Sequence, residues 1–202
     1  RTGAGVAEPA DNIGRWRPSP AESNPPLFER WPSNAERRDA VPFAASPDAE
    51  RHVLAHVFKV EMDPYVGKIA VFRVHQGTLV PNAALYVGES RKPVRVGQLF
   101  LLQGKQHIPI ERAVPGTICA LAKLEDVHFD SVLHDAPEDD HIHLRPLAFP
   151  PADFGLSIRP RRRGDEHKLS EVLHRLEEED ASLKVAYDAS AHEEVMQGLG
   201  GI

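Results

Sequence analysis

The sequence predicts a mainly β fold joined to an α+β unit: a small antiparallel β-barrel followed by an incomplete split βαβ domain. Three observations carry this reading. Across residues 52–121, short runs of β-branched and aromatic residues alternate with glycine and proline turns at regular spacing. That is the pattern of short antiparallel strands in a barrel rather than an open sheet. From Phe154 onward the order becomes strand, helix, strand, strand, the opening of a split βαβ unit. Before both lies a segment interrupted by Pro9, Pro18, Pro20, Pro25, Pro26, Pro32, Pro42 and Pro47, too broken for long helices or central strands. The expected divisions are a linker over 1–51, the barrel over 52–146 and the incomplete domain over 147–202.

The bulk numbers bound the function. The 202 residues suit one or two domains with a real core. Hydrophobic residues at 41% and charged residues at 27% are ordinary globular values. A formal net charge of -6 excludes an overall nucleic-acid polycation but not a local basic face. The single Cys119 excludes an intramolecular disulfide and suits a reducing compartment. Within Ile118-Cys119-Ala120-Leu121 it reads as a buried small hydrophobe, not a nucleophile. No apolar run approaches the ~20 residues of a membrane span. The opening RTGAGVAEPAD has neither a signal-peptide hydrophobic region nor an initiator methionine, which suggests a processed product or an excised fragment.

Taken in order, the proline-rich segment offers Trp16, Leu27, Phe28, Trp31 and Phe43 as anchors. They would pack an extended linker loosely on the barrel, or else dock a partner. Residues 52–62 alternate, with Leu54, His56, Phe58, Val60 and Met62 on one face and Val53, Ala55 and Val57 on the other; this is the first barrel strand. Residues 68–75 form the next. Gly77 supplies the positive φ of a tight turn before Thr78, Leu79 and Val80 restart extended chain, so residues 63–80 read as strand, turn and strand. Further short strands fall at 84–87, 93–96, 99–102, 108–110 and 117–121, with turns at 88–92 and at Pro115-Gly116. Residues 134–143 are a polar loop. Phe154–Ile158 is a strand ended by Pro160, and Asp165 caps a helix that reaches about Asp180. Leu169, Val172, Leu173 and Leu176 form its apolar stripe. Glu177, Glu178, Glu179 and Asp180 crowd its C-terminal end, where the dipole disfavours them. Residues 183–187 and 193–197 form a hairpin. Cut off before a second helix and a last strand, the unit should expose a sheet edge and apolar helix surface.

The run 63–80, DPYVGKIAVFRVHQGTLV, resembles the start of the second domain of translational GTPases of the elongation factor G type. Asp63-Pro64, Gly67, Lys68, Arg73-Val74, Gly77 and Leu79 carry the likeness, which extends over roughly residues 42–200. Pro42-Phe43, Phe58-Lys59-Val60, Pro115-Gly116-Thr117-Ile118 and the junction Phe149-Pro150-Pro151 follow the family's order and spacing. So do Leu156-Ser157-Ile158-Arg159-Pro160, the acidic helix end at 176–180 and Gly198-Leu199-Gly200. The resemblance implies an elongation-factor-type antiparallel β-barrel followed by a truncated ferredoxin-like third domain. Two departures imply a diverged paralogue: Asp126-Val127-His128-Phe129-Asp130-Ser131 stands where the family has a threonine- and glycine-rich turn, and Gly201 where it has a glutamate. No GxxxxGK[ST] phosphate loop occurs in the sequence, so this chain has no nucleotide cradle of the family kind.

The resemblance also implies sites. The family's barrel rests on small-subunit ribosomal RNA, so Arg91, Lys92 and Arg95, with Lys68 and Arg73 nearby in sequence, are candidates for RNA backbone contact. Such contacts position a protein without reading bases; a solvated polar turn is the plainer alternative. Arg161, Arg162 and Arg163 fall in a loop the family places near its G domain and the ribosome. There they would pair with phosphate or carboxylate, or simply be a solvated charge run. His134, Asp135, Asp139, Asp140, His141 and His143 have metal-ligand chemistry but no spacing such as HExxH, and no metal site is assigned. Ser157 and Ser170 lack a GxSxG context, and no catalytic residue is assigned.

The expected function is that of a non-catalytic piece of an elongation factor G-like GTPase, docking on the ribosome and coupling the GTP state to neighbouring domains. No cofactor is expected in this chain; GTP and Mg belong to the full-length parent. The expected partners are the ribosome, through small-subunit RNA, and the parent's G domain, with no membrane and no DNA. The expected location is the cytoplasm. The alternative is a stand-alone protein-protein interaction module without GTPase function.

Overall fold

A computed structural model of the chain describes residues 5, 7–19, 28–31, 40–124, 126–188 and 193–200. In chain order these form α1 (Ala7–Trp16), β1 (Phe28–Arg30), β2 (Val41–Phe43), β3 (Leu54–Asp63), β4 (Gly67–Gln76) and β5 (Ala84–Val87). Then come β6 (Val94–Arg95), β7 (Leu99–Gln103), β8 (Gln106–Ile110), β9 (Ile118–Ala122) and β10 (Val132–His134). A 3-10 turn (Pro137–Asp139), β11 (Ile142–Leu144), β12 (Phe154–Ile158), α2 (Glu166–Glu179), β13 (Lys184–Asp188) and β14 (Glu193–Gly198) complete it. Eight strands make one curled antiparallel sheet in the order β6-β5-β10-β3-β4-β9-β7-β8, a half-barrel around an apolar interior. Val57, Phe72, Leu79, Leu99, Leu121 and Leu133 are fully buried in that interior, together with the free Cys119. Burial pushes the Cys119 thiol up to about 12, so it is a packing residue. Pro42 and Pro109 lie in β2 and β8, both edge strands, where a missing amide donor is tolerated.

The organising hairpin is β3–β4, not β4 with residues 78–80. Asp63 closes its turn by accepting the amides of Tyr65 and Val66, both at 2.8 Å. Beyond Gly77 the chain does not return along β4; Leu79 makes a single bridge to Ala113 instead. The cause lies at Gly77, whose φ is +75° and whose added β-carbon would sit 2.7 Å from the backbone of Arg51 and His52. That close approach turns the chain away, and Gly77 N donates to Asp48 O at 2.9 Å.

Strict alternation also fails in β3. A bulge between Val57 and Lys59 inserts one residue, so Val60 joins Val53, Ala55 and Val57 in the interior, opposite to its expected face. Leu54 faces a second cluster, and Phe58 packs against a third with Ile69, Val71 and Phe100.

The proline-rich segment is more regular than its composition predicts. Pro9 sits in the first turn of α1, where its missing N–H costs no helical bond. β1 is the central strand of a three-stranded sheet, β11-β1-β2. Phe28 is 1% exposed and packs with Leu54, Val132 and Ile142, with Phe43 against the same cluster, so β1 and β2 form a tightly docked strap where loose packing was expected. Trp16, by contrast, is 81% exposed, and Leu27 lies outside the described residues, as does Gly201.

The last unit forms the sheet β12-β14-β13 with α2 as the crossover. Asp165 stands at the N-cap of α2, but its carboxylate makes no capping bond and accepts from Lys168 Nζ at 3.2 Å. Of the expected stripe only Leu173 is buried; Val172 and Leu176 remain exposed, as do Phe154, Leu156 and Tyr187. An apolar surface is open on both helix and sheet.

Candidate nucleic-acid interface

The basic turn is built by the β5–β6 pairing, with Ala84 opposite Arg95 and Leu85 opposite Val94. Residues 88–93 project between them at the sheet's edge, starting at Gly88 with a φ of +52°. Ser90 braces the turn: its amide donates to Val87 O at 3.0 Å and its hydroxyl to Lys92 O at 3.2 Å. Arg91, Lys92 and Arg95 are all exposed, and among the described residues no carboxylate pairs with them. The acidic residue of this turn, Glu89, is directed at His143, whose Nε2 lies 3.4 Å from Glu89 Oε1. Arg91 and Lys92 on the braced turn and Arg95 on β6 are thus exposed cations with no paired carboxylate among the described residues, an arrangement that suits phosphate contact.

Arg161, Arg162 and Arg163 lie exposed in the β12–α2 loop. A turn closes beneath them through Asp165 N to Arg162 O at 3.3 Å. Neighbouring Arg159 is bound to Glu193, which also accepts the Ser157 hydroxyl. No hydrogen bond or ion pair among the described residues joins this triplet to the β5–β6 turn.

Lys68 and Arg73 lie on β4, which β10 and β3 separate from β5 in the sheet, and do not join the basic turn. Lys68 lies at the start of β4 with its side chain 3% exposed, and its Nζ is 3.2 Å from Glu178 Oε1. Next to it, Glu179 Oε1 accepts the Met62 amide at 2.6 Å, and Glu177 accepts the Val185 amide at 3.4 Å. Glu178 and Glu179, unfavourable for the dipole of α2, thus serve the seam between the barrel and the last unit, while Glu177 holds β13 within that unit. Sequence reasoning noted those glutamates but had no signal for their partners.

Of the polar groups at 134–143, His134 Nε2 and Asp140 Oδ1 lie 3.4 Å apart, while Asp135, Asp139 and His143 are held on partners outside that run. Asp135 accepts the Val53 amide at 2.8 Å, Asp139 pairs with Arg30 at 3.5 Å, and His143 stacks on Trp31 with centroids 4.0 Å apart. Burial lowers the His143 pKa and raises that of Asp139, the latter opposed by Arg30. The divergent turn at 126–131 fills the gap at the β3 bulge: Asp130 N donates to Val57 O and Val57 N to Ser131 O, each at 2.9 Å. A histidine pair also escaped the sequence reading. His56 Nδ1 and His75 Nε2 are 3.0 Å apart beneath Phe28, whose ring meets His75 edge-on at 5.1 Å.

Comparison with known proteins accounts for both units. Residues 52–134 match the model of elongation factor G domain 2, and residues 149–202 that of elongation factor G domain III. Elongation factor G of Amoebophilus asiaticus (strain 5a2) is 31% identical over 196 residues, which is 97% of this chain and 26% of that protein. A crystal structure of a protein from Thermus thermophilus superposes with a TM-score of 0.72 at 28% identity, covering 97% of this chain and 26% of that one. The chain therefore spans about a quarter of the length of these relatives. With the half-barrel matching one model and the strand-helix-hairpin unit the other, the chain belongs to the elongation factor G family, of which it carries domain 2 and domain III.

Proposed function

We propose that this chain is the ribosome-docking portion of a translational GTPase, meeting small-subunit RNA through the β5–β6 turn. The single observation behind this reading is the strip Arg91, Lys92 and Arg95, exposed and without acidic partners among the described residues while Glu89 is turned toward His143. Its contacts are with phosphates, which fix position and carry no base specificity. Arg161, Arg162 and Arg163 form the second contact, to the ribosome or to an acidic surface of the G domain. GTP and Mg act in that G domain, and this chain passes the nucleotide state to its neighbours through the Lys68–Glu178 seam without catalysis of its own. The location is the cytoplasm, where ribosomes are. Co-sedimentation of the chain with purified small subunits tests the reading. Retention that is lost on replacing all three residues of the strip by alanine supports it. Failure to bind subunits, with capture of one non-ribosomal protein, favours an interaction module instead.

A further inference from the structure

Both ring nitrogens of His134 point at carbonyl oxygens. Nδ1 lies 2.8 Å from Ala136 O and Nε2 lies 2.9 Å from Gly88 O, with the side chain 0% exposed. A carbonyl oxygen only accepts, so each contact requires an N–H on the ring, and a neutral imidazole has one. The neutral ring would set a lone pair against a carbonyl at hydrogen-bond distance in a buried site, an unmade bond of the costly kind. A counter-charge is in place: Asp140 Oδ1 lies 3.4 Å from Nε2, and that oxygen is buried with no hydrogen-bond donor of its own. Tyr86 of β5 stacks on the ring at 5.5 Å, and Asp139 and His143 are the other titratable groups that sense its charge.

We propose that His134 is held as the doubly protonated imidazolium and is the positioning residue of the β5–β6 turn. Its Nε2–H fixes the carbonyl of Gly88, the first residue of that turn, while its Nδ1–H fixes Ala136 at the start of the 3-10 turn. Gly88 N donates to Val132 O at 2.8 Å, so the turn is held at its base through both the amide and the carbonyl of one residue. A charged donor makes the stronger bond, and Arg91 and Lys92 follow within four residues. The inference rests on this geometry and not on what the turn binds.

Long-range nitrogen–proton correlation spectra of the full chain near neutral pH test it directly. Imidazolium signals are expected, with both nitrogens of His134 protonated; a single neutral tautomer overturns the proposal. Asp140→Asn removes the counter-charge and should convert the same signals to a neutral tautomer, whereas no change of state in that variant counts against it. His134→Gln should lower amide-exchange protection of Gly88 and Ser90 by about tenfold and leave Phe72 in the barrel centre unchanged. Unaltered protection of the turn overturns the positioning role. Subunit affinity that stays constant while the turn loosens would remove the RNA role of the turn and leave the role of His134 standing.

Discussion

Gly77→Ala is the sharpest perturbation of the barrel, and Gly67→Ala is its internal control. Both glycines have positive φ, +75° and +86°, but only Gly77 meets backbone: a β-carbon there falls 2.7 Å from Arg51 O and His52 C, while Gly67 has open space. Placing alanine in the left-handed region costs about 1–2 kcal/mol, which is the whole expected effect at Gly67. At Gly77 the segment at 51–52 must also move. That segment is braced by Gln76, whose Nε2 donates to His52 O at 3.0 Å and whose Oε1 accepts Ser46 N at 3.2 Å. Forcing one carbon into a packed site costs about 1–3 kcal/mol more, so Gly77→Ala should lose about 3 kcal/mol in total. Urea unfolding followed by the fluorescence of Trp31, which stacks on His143 beside the barrel, reads the difference as a lower midpoint at unchanged slope. Equal losses in the two variants would refute the close-approach explanation for the turn at Gly77.

Two further outcomes follow from buried charge. Glu178→Gln and Lys68→Met should each loosen the last unit from the barrel. Their double-mutant cycle should show a coupling of about 1 kcal/mol, since Lys68 is buried but Glu178 is 36% exposed; strict additivity contradicts the seam. The histidine pair predicts acid sensitivity. Burial first, then Arg73, lowers His56 to about 4, and burial first, then His56 and Arg73, lowers His75 to about 3, from an ordinary 6.5. The unfolded chain takes up these protons as pH falls through about 6.5, whereas the folded chain does not until about 4 and 3. The stability present above that range therefore drains away between them. Urea midpoints measured from pH 7 downward should fall, and the fall should flatten in a His56→Leu/His75→Leu variant; an unchanged slope in that variant contradicts the assignment.

The barrel strands other than β10 were legible because each lies between glycine or proline turns, and β12, α2 and the β13–β14 hairpin were legible for similar reasons. β10 (Val132–His134) and β11 (Ile142–Leu144) were not, because they are three-residue strands at the two ends of the run 134–143, whose polar composition reads as loop. The strap was not. Phe28–Arg30 and Val41–Phe43 are three-residue strands with no period to read, and β1 finds its partners in β2 and the distant β11. The bulge at Val57 and Lys59 was equally hidden, since Phe58 and Val60 look in phase along the sequence and only the pairing with β4 reveals the extra residue. Arg91, Lys92 and Arg95 could be singled out because they are close in sequence. That Glu89 turns away from them depends on His143, which no local pattern indicates. Lys68 looked like part of the same basic group, and its burial against Glu178 is a tertiary fact.

The salt dependence of binding to small ribosomal subunits distinguishes the proposed phosphate contacts of the β5–β6 turn from docking by any other means. Each phosphate contact contributes about one unit to the slope of log affinity against log salt. The variant with Arg91, Lys92 and Arg95 all replaced by alanine should therefore bind more weakly, with a slope shallower by about two to three units. An identical slope and affinity in the two proteins would contradict the account.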